Sequence, residues 1–240
     1  MAERYRTIPL FSPFAGLVAV ESLRQGGNLG LHTDDDPAVV RSNRAQLCAD
    51  LNITPDQLIG SHQVHGDDIL VVEQKGYFEG YDGLISDRKG LFLSVTVADC
   101  MPLLLFDAQK QVIAAVHAGW RGTVAGIARK CLSMMQNHYG SRPSECYAWL
   151  GTCIDECSFE TDADVADRFS ADFKRWDEQR QKYLIDLKKA NQAQLAEAGI
   201  PPSQMALSSY STVLHNENYF SYRKEAGQTG RMLAVIGIVG

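Results

Sequence analysis

A mixed α/β or α+β layered fold, in one domain over residues 1–240, is what this sequence predicts. Three observations carry the prediction. Apolar segments of strand character outnumber helical ones, and several are separated only by short turns, which argues against a regular βαβ array. No Pro/Gly/Ser linker, composition break or repeat divides the chain.

The elements follow in order. "GLVAVES" (16–22) reads as a strand and leads into a Gly-rich turn, "QGGNLGLH". "DPAVVRSNRAQLCADL" (36–51) has helical apolar spacing behind acidic residues that suit a helix start. "IGSHQVHGDDILVVE" (59–73) gives a strand, a polar corner and a strand, and "YDGLISDR" (81–88) a turn and loop. "LFLSVTVADCMPLLLFD" (91–107) is two strands with a break, and "QVIAAVHAGWRGT" (111–123) is a strand that runs into a corner. "VAGIARKCLSMMQNHYG" (124–140) is a helix closed by Gly140. "ECYAWLGTCI" (145–154) is a strand, while "DADVADRFSADFKRW" (162–176) and "LIDLKKANQAQLAEAG" (184–199) read as helices. "NYFSYRKEAGQTGRMLAVIGIV" (218–239) closes the chain as two strands around a Gly-rich turn.

Composition narrows the function. With 45% hydrophobic and 22% charged residues, the chain can bury a sizeable core. A net charge of -6 and the lack of any dense Lys/Arg block argue against a nucleic-acid or membrane-surface partner and favour small molecules. The N-terminal stretch, with Pro9 and Pro13 inside its apolar part, does not read as a signal peptide, and no apolar run is long enough to span a membrane; a cytoplasmic protein is expected. Six cysteines are too sparse for a disulfide framework.

Three corners carry chemistry. His65 in "HQVHG", Cys100 in "VADCMP" and His117 in "VHAGWRG" each sit where an apolar segment meets Gly or Pro, from which a rigid sheet can project a side chain. Two imidazoles and a thiolate suit zinc with a fourth place left open. The same residues also read as a small buried thiol and two satisfied strand-end histidines, and their spacing matches no short metal signature. His62 competes with His65 as the ligand, because "HQVH" offers both. Arg121, between glycines, suits phosphate or a ribose oxygen, with an acidic partner as its alternative. Trp120 offers a stacking face or core packing, Asn28 a pocket contact or a turn. Asp99 stands beside Cys100 as an acceptor for a ligand or backbone amide or as a turn residue capping its own loop, Arg223 and Arg231 add positive potential or are solvated hairpin charges, and the pair Cys153 and Cys157 lacks histidines for a second metal site.

"HQVHG", "TVADCMPLLLFD", "AAVHAGWRGT" and "YFSYRKEAGQTGRM" together resemble the bacterial YfiH family, FAMIN-like proteins long labelled polyphenol oxidoreductase or laccase. The resemblance implies an α+β, multilayer α/β/β/α-type sandwich with mixed sheets. It implies a zinc site on His65, Cys100 and His117, with His62 reduced to a neighbour. It also implies purine nucleosides and phosphate as partners: phosphorolysis of adenosine, inosine, guanosine and methylthioadenosine, deamination of adenosine, and editing of peptidoglycan precursors. Two segments depart from the family, the short turn in "LRQGGNLGLH" and "GTCID" at 151–155, and both bear on the pocket rim. Other classes remain open on the same atoms: a Cys–His hydrolase acting on an amide or peptidoglycan precursor, a metal-binding regulatory protein without turnover, and, last, a copper-linked polyphenol oxidase, which needs more clustered histidines.

Overall fold

The computed structural model describes residues 3–240. Its strands are β1 (Tyr5–Thr7), β2 (Leu17–Ser22), β3 (Leu58–His62), β4 (Ile69–Val71), β5 (Tyr77–Glu79), β6 (Gly83–Ser86), β7 (Phe92–Val97), β8 (Met101–Asp107), β9 (Val112–Ala118), β10 (Cys146–Leu150), β11 (Glu160–Thr161), β12 (Lys174–Asp177), β13 (Lys182–Ile185), β14 (Met205–Leu207) and β15 (Met232–Ile238). Its helices are α1 (Pro37–Asp50), α2 (Trp120–Ala125), α3 (Ile127–Tyr139), α4 (Ala163–Ala166) and α5 (Leu187–Glu197). Two mixed six-stranded sheets form, one in the order β1-β2-β15-β7-β3-β5 and the other β14-β10-β8-β9-β6-β4. A small antiparallel sheet, β11-β13-β12, stands apart from them.

The alternation of side chains explains the layering. Along β9, Ile113 and Ala115 point inward with Leu104 and Phe106 of β8, and they meet Ile59, Leu93, Val95, Ala234 and Ile236 of the first sheet. The intervening Val112, Ala114, Val116 and Ala118 point outward onto Ile127, Cys131, Leu132 and Met135 of α3 and Leu195 of α5. Strands covered on both faces read as continuous apolar runs, as β8 and β9 do. On the far side, Val20, Phe92, Leu233 and Val235 receive Leu47 and Cys48 of α1. The order helix, sheet, sheet, helix is the expected α/β/β/α sandwich.

The chain crosses from the first sheet to the second at three places: β3 to β4, β5 to β6, and β7 to β8. Residues 81–88, expected as turn and loop, instead supply β6, which pairs with both β4 and β9. The helix expected over 162–176 shrinks to α4 and then gives way to β12, because Phe169 and Ile185 pack in a separate cluster rather than along one helix face. Residues 218–230 form turns, not a strand, and only β15 remains of the expected C-terminal pair. Among the described residues no helix is long and apolar enough to cross a membrane.

Gly237 faces the fully buried Phe92 ring across the β15–β7 pairing, where an added Cβ would overlap the ring carbons. Gly237→Ala is therefore expected to cost about 1–3 kcal/mol through overpacking, read as a lower denaturant midpoint at unchanged m-value.

Candidate functional site

The crossings bring the chemistry together. His65 lies on the β3–β4 connection, Cys100 on the β7–β8 connection, and His117 at the end of β9, on the inward row that continues from Ile113 and Ala115. Their donor atoms all lie within 4.8 Å of one another, and the two imidazole rings meet edge to face with centroids 4.8 Å apart. His117 is buried, Cys100 half-buried and His65 exposed. His65 holds φ at 59° and Asp99, before the thiol, φ at 88°. Both lie in the left-handed region, which His and Asp enter more readily than most side chains. Gly119 points at the centre of the group: a Cβ there would stand 3.2 Å from Cys100 Sγ and 3.5 Å from His65 Cδ2. Gly122 lets α2 close on the Gly66 carbonyl, 2.9 Å from where its Cβ would be.

One buried carboxylate holds this arrangement. Asp82, on the β5–β6 connection, accepts from the backbone amides of Val64 (3.2 Å), His65 (3.0 Å) and Gly66 (2.7 Å). It also contacts His117 Nδ1 at 2.7 Å. Burial pushes its carboxyl up, but the hydrogen bond and charge of His117 and the amides outweigh this and hold it below the usual carboxylate range. With Nδ1 committed to Asp82, Nε2 is the His117 atom left for the site. A ligating histidine is commonly oriented by such a carboxylate. Two imidazoles and one thiol converging in this way form a donor set that could hold one metal ion. Among the described residues no second cluster of this kind occurs.

The three side chains form the floor of a pocket of about 670 Å³. Arg121, Trp120, Asp99, His62, Arg223 and Arg231 also line it. Arg121 lies with its Cζ 4.2 Å from the Trp120 ring centroid, and has no acidic partner or hydrogen bond among the described residues. Trp120 packs its indole against the cluster of Ile154, Phe159 and Phe169. Thr123 of the same helix is tied to Asn191 (2.9 Å) and Gln194 (2.7 Å) of α5.

The remaining residues sit around this floor. Asn28 is not a pocket contact: its side-chain oxygen accepts from the amides of Gly30 (2.9 Å) and Arg231 (2.8 Å), and its nitrogen donates to Thr33 and Asp35, both at 2.7 Å. Its amide is saturated, and it shapes the pocket wall from behind. Asp99 touches none of the three site residues through its carboxylate. Instead it accepts from Thr212 (2.5 Å), Ser221 (2.7 Å) and the Arg223 amide (2.6 Å), binding residues 212–223 to the Cys100 turn. His62 turns away to Glu79, at 2.9 Å. Cys153 is buried and Cys157 exposed, each bonded locally rather than to the other. In the departing segment 151–155, Thr152 is bound to the buried Glu21 of β2, and Ile154 lines the pocket. The sequence carries little signal for Asp82: an acid beside a glycine between two apolar segments.

Compared with known proteins, residues 18–239 match the family described as multi-copper polyphenol oxidoreductase laccase. The chain belongs to that family, and it is an enzyme. The purine nucleoside phosphorylase YfiH of Escherichia coli is 32% identical to it, over 97% of this chain and 98% of its own length. Adenosine deaminase RL5, from an unknown prokaryotic organism, is 30% identical over 96% of this chain and 94% of its own. The crystal structure of YlmD from Geobacillus stearothermophilus has the same fold, with a TM-score of 0.93 at 32% identity, over 100% of this chain and 98% of that one.

Burial pushes the Cys100 thiol up, yet the positive charge and hydrogen bond of His117, with those of His65, bring it down to about 6. For His117, burial acts downward, but the Cys100 charge and Asp82 raise it to about 9. The lowered thiol contributes stability that is complete above its ordinary 9.0 and is lost as pH falls through about 6. The raised imidazole contributes stability that is complete below its ordinary 6.5 and is lost as pH rises through about 9. In metal-free protein, alkylation of Cys100 by iodoacetamide is expected to titrate with a midpoint near 6. Cys131 and Cys153, buried and pushed far up, stay unreactive until the protein unfolds. A Cys100 midpoint near that of a free thiol would mean that the pairing with His117 is absent.

Proposed function

We propose that the protein cleaves purine nucleosides with phosphate at this pocket. The observation that carries the reading is that His65, Cys100 and His117 open into the same cavity as Arg121, a guanidinium with no acidic or hydrogen-bonded partner among the described residues. In phosphorolysis a phosphate oxygen bonds to the ribose C1′ as the bond from C1′ to the purine nitrogen breaks. The purine leaves with the electron pair and takes up a proton, and a sugar 1-phosphate remains. Arg121 supplies a planar fork for the phosphate, fixed in direction by its stacking on Trp120. Arg231 is already engaged with the carbonyls of Thr229 (2.8 Å) and Gly230 (3.0 Å), and Arg223 with those of Ser158 (3.0 Å) and Glu160 (3.2 Å), so both contribute potential more than grip.

His65, Cys100 and His117 would hold zinc, which when bound supplies a Lewis acid that polarises a substrate atom. Asp82 fixes the tautomer of His117 by accepting a hydrogen bond from Nδ1–H and leaves Nε2 for the pocket. A multicopper centre does not fit, because the described residues bring only one three-donor group together. The relative named adenosine deaminase favours a second reading at the same floor, in which water replaces the amino group on the purine ring and ammonia leaves. That reaction needs the three floor residues and no phosphate. With all six cysteines free as thiols, we place the protein in the reducing cytoplasm.

Steady-state kinetics with inosine and phosphate test the reading. Cys100→Ala is expected to abolish turnover while the chain still folds, with an unchanged far-UV circular dichroism spectrum. Arg121→Lys keeps charge but loses the fork, so the apparent KM for phosphate should rise about tenfold, while adenosine deamination persists. If both activities of Arg121→Lys fall together, Arg121 is holding the corner rather than the phosphate. Chelator competition is expected to show about one zinc per chain, with Asp82→Asn weakening its retention about 10- to 100-fold.

A further inference from the structure

The pocket has a second chemical character, away from its arginines. His32 and His62 stack face to face, with centroids 4.0 Å apart and planes 27° from parallel. Each ring is fixed at an edge, His32 Nε2 by the Tyr77 hydroxyl at 3.2 Å and His62 Nδ1 by Glu79 at 2.9 Å. Tyr77 is itself tilted against His32, with centroids 6.0 Å apart. All three rings line the pocket, and all are exposed to a degree that core packing does not explain. Their supports are rigid. Asn28 cross-links residues 28–33 through Gly30 and Thr33, and β3 pairs with β5 so that His62 stands opposite Glu79.

A wall of anchored rings, two of them stacked, beside a reactive floor fits a flat heteroaromatic group. Trp120 is the poorer stacking surface, since its indole is packed in a core cluster and the Arg121 guanidinium lies over the ring. We infer that in phosphorolysis the His32–His62–Tyr77 wall is the subsite for the purine base, with the phosphate on the Arg121 side and the ribose over His65, Cys100 and His117. This deepens the nucleoside reading above and rests on it. Stacking uses the π face of the base and not the hydrogen-bonding edge. The wall should therefore hold adenine and hypoxanthine alike, whichever group the ring carries.

Calorimetric titration of the purified, metal-loaded protein with free adenine and free hypoxanthine tests the wall without relying on turnover. His62→Ala is expected to weaken both bases by the same factor, about tenfold, the scale for loss of one aromatic stacking partner. His62→Phe, which keeps a ring, should recover most of that loss, and the apparent KM for phosphate should not change in either variant. His62 is half-exposed, so melting curves should match the wild type; if His62→Ala does not fold, His32→Ala serves for the same comparison. Unchanged base affinity in the alanine variant, loss for one base only, no recovery with phenylalanine, or no base binding by the wild type would overturn the inference. The two readings fail separately. Phosphorolysis without dependence of base affinity on His62 or His32 leaves the function standing and removes the wall. Base binding with that dependence, but no phosphate-dependent cleavage, does the reverse.

Discussion

The site depends on the Asp82 carboxylate. A buried charge is costly unless its lone pairs are met, and this one is met by three consecutive backbone amides and an imidazole. The amides belong to the loop that carries His65, and the imidazole is His117. One acid thus sets the position of one histidine through its backbone and of the other through its ring. Because the bond to His117 fixes which nitrogen is free, the same group settles the direction in which that histidine can act.

Around this centre the fold supplies a floor and two unlike walls. The floor forms where the chain passes between sheets, so it is made from connections rather than from strand interiors, apart from His117. Connections can adopt the left-handed backbone seen at His65 and Asp99, and strand interiors cannot. The small third sheet and α4 give Trp120 and Phe159 something to pack on, and so decide where Arg121 stands. The segment 28–33, clamped by Asn28, forms part of the opposite side. The polar and the aromatic walls are separate pieces of chain, and the relation between them is fixed only by the packing of the whole sandwich.

The floor was legible in the sequence because three reactive residues each ended an apolar segment, and because the motifs around them resembled a family. The layers were legible through periodicity: the long apolar runs of β8 and β9 declared strands buried on both faces. What escaped was decided by tertiary contact. β6 is short, starts at a turn-like Asp82–Gly83, and becomes a strand only because β4 and β9 flank it. The 162–176 segment has helical composition, but pairing with β13 claims its last three residues, 174–176. Asn28 reads in the sequence as either a turn residue or a pocket contact, and only the fold shows its amide already filled. Asp82 had no motif at all, since its partners are amides, which every residue carries.

The three crossings have a thermodynamic meaning. His65 and Cys100 ride on the links between sheets, while His117 belongs to the second sheet, so anything that gathers the three groups fastens the seam of the sandwich. Such a ligand binds the folded chain and not the unfolded one, and at a hundred times its dissociation constant it adds about 2.7 kcal/mol to stability. For a protein whose total margin is of the order of 5–15 kcal/mol, the lifetime of the folded enzyme and its occupancy become one quantity. A cell that starves the site would be left with a chain that opens more often, and is cleared sooner, than one that keeps it filled.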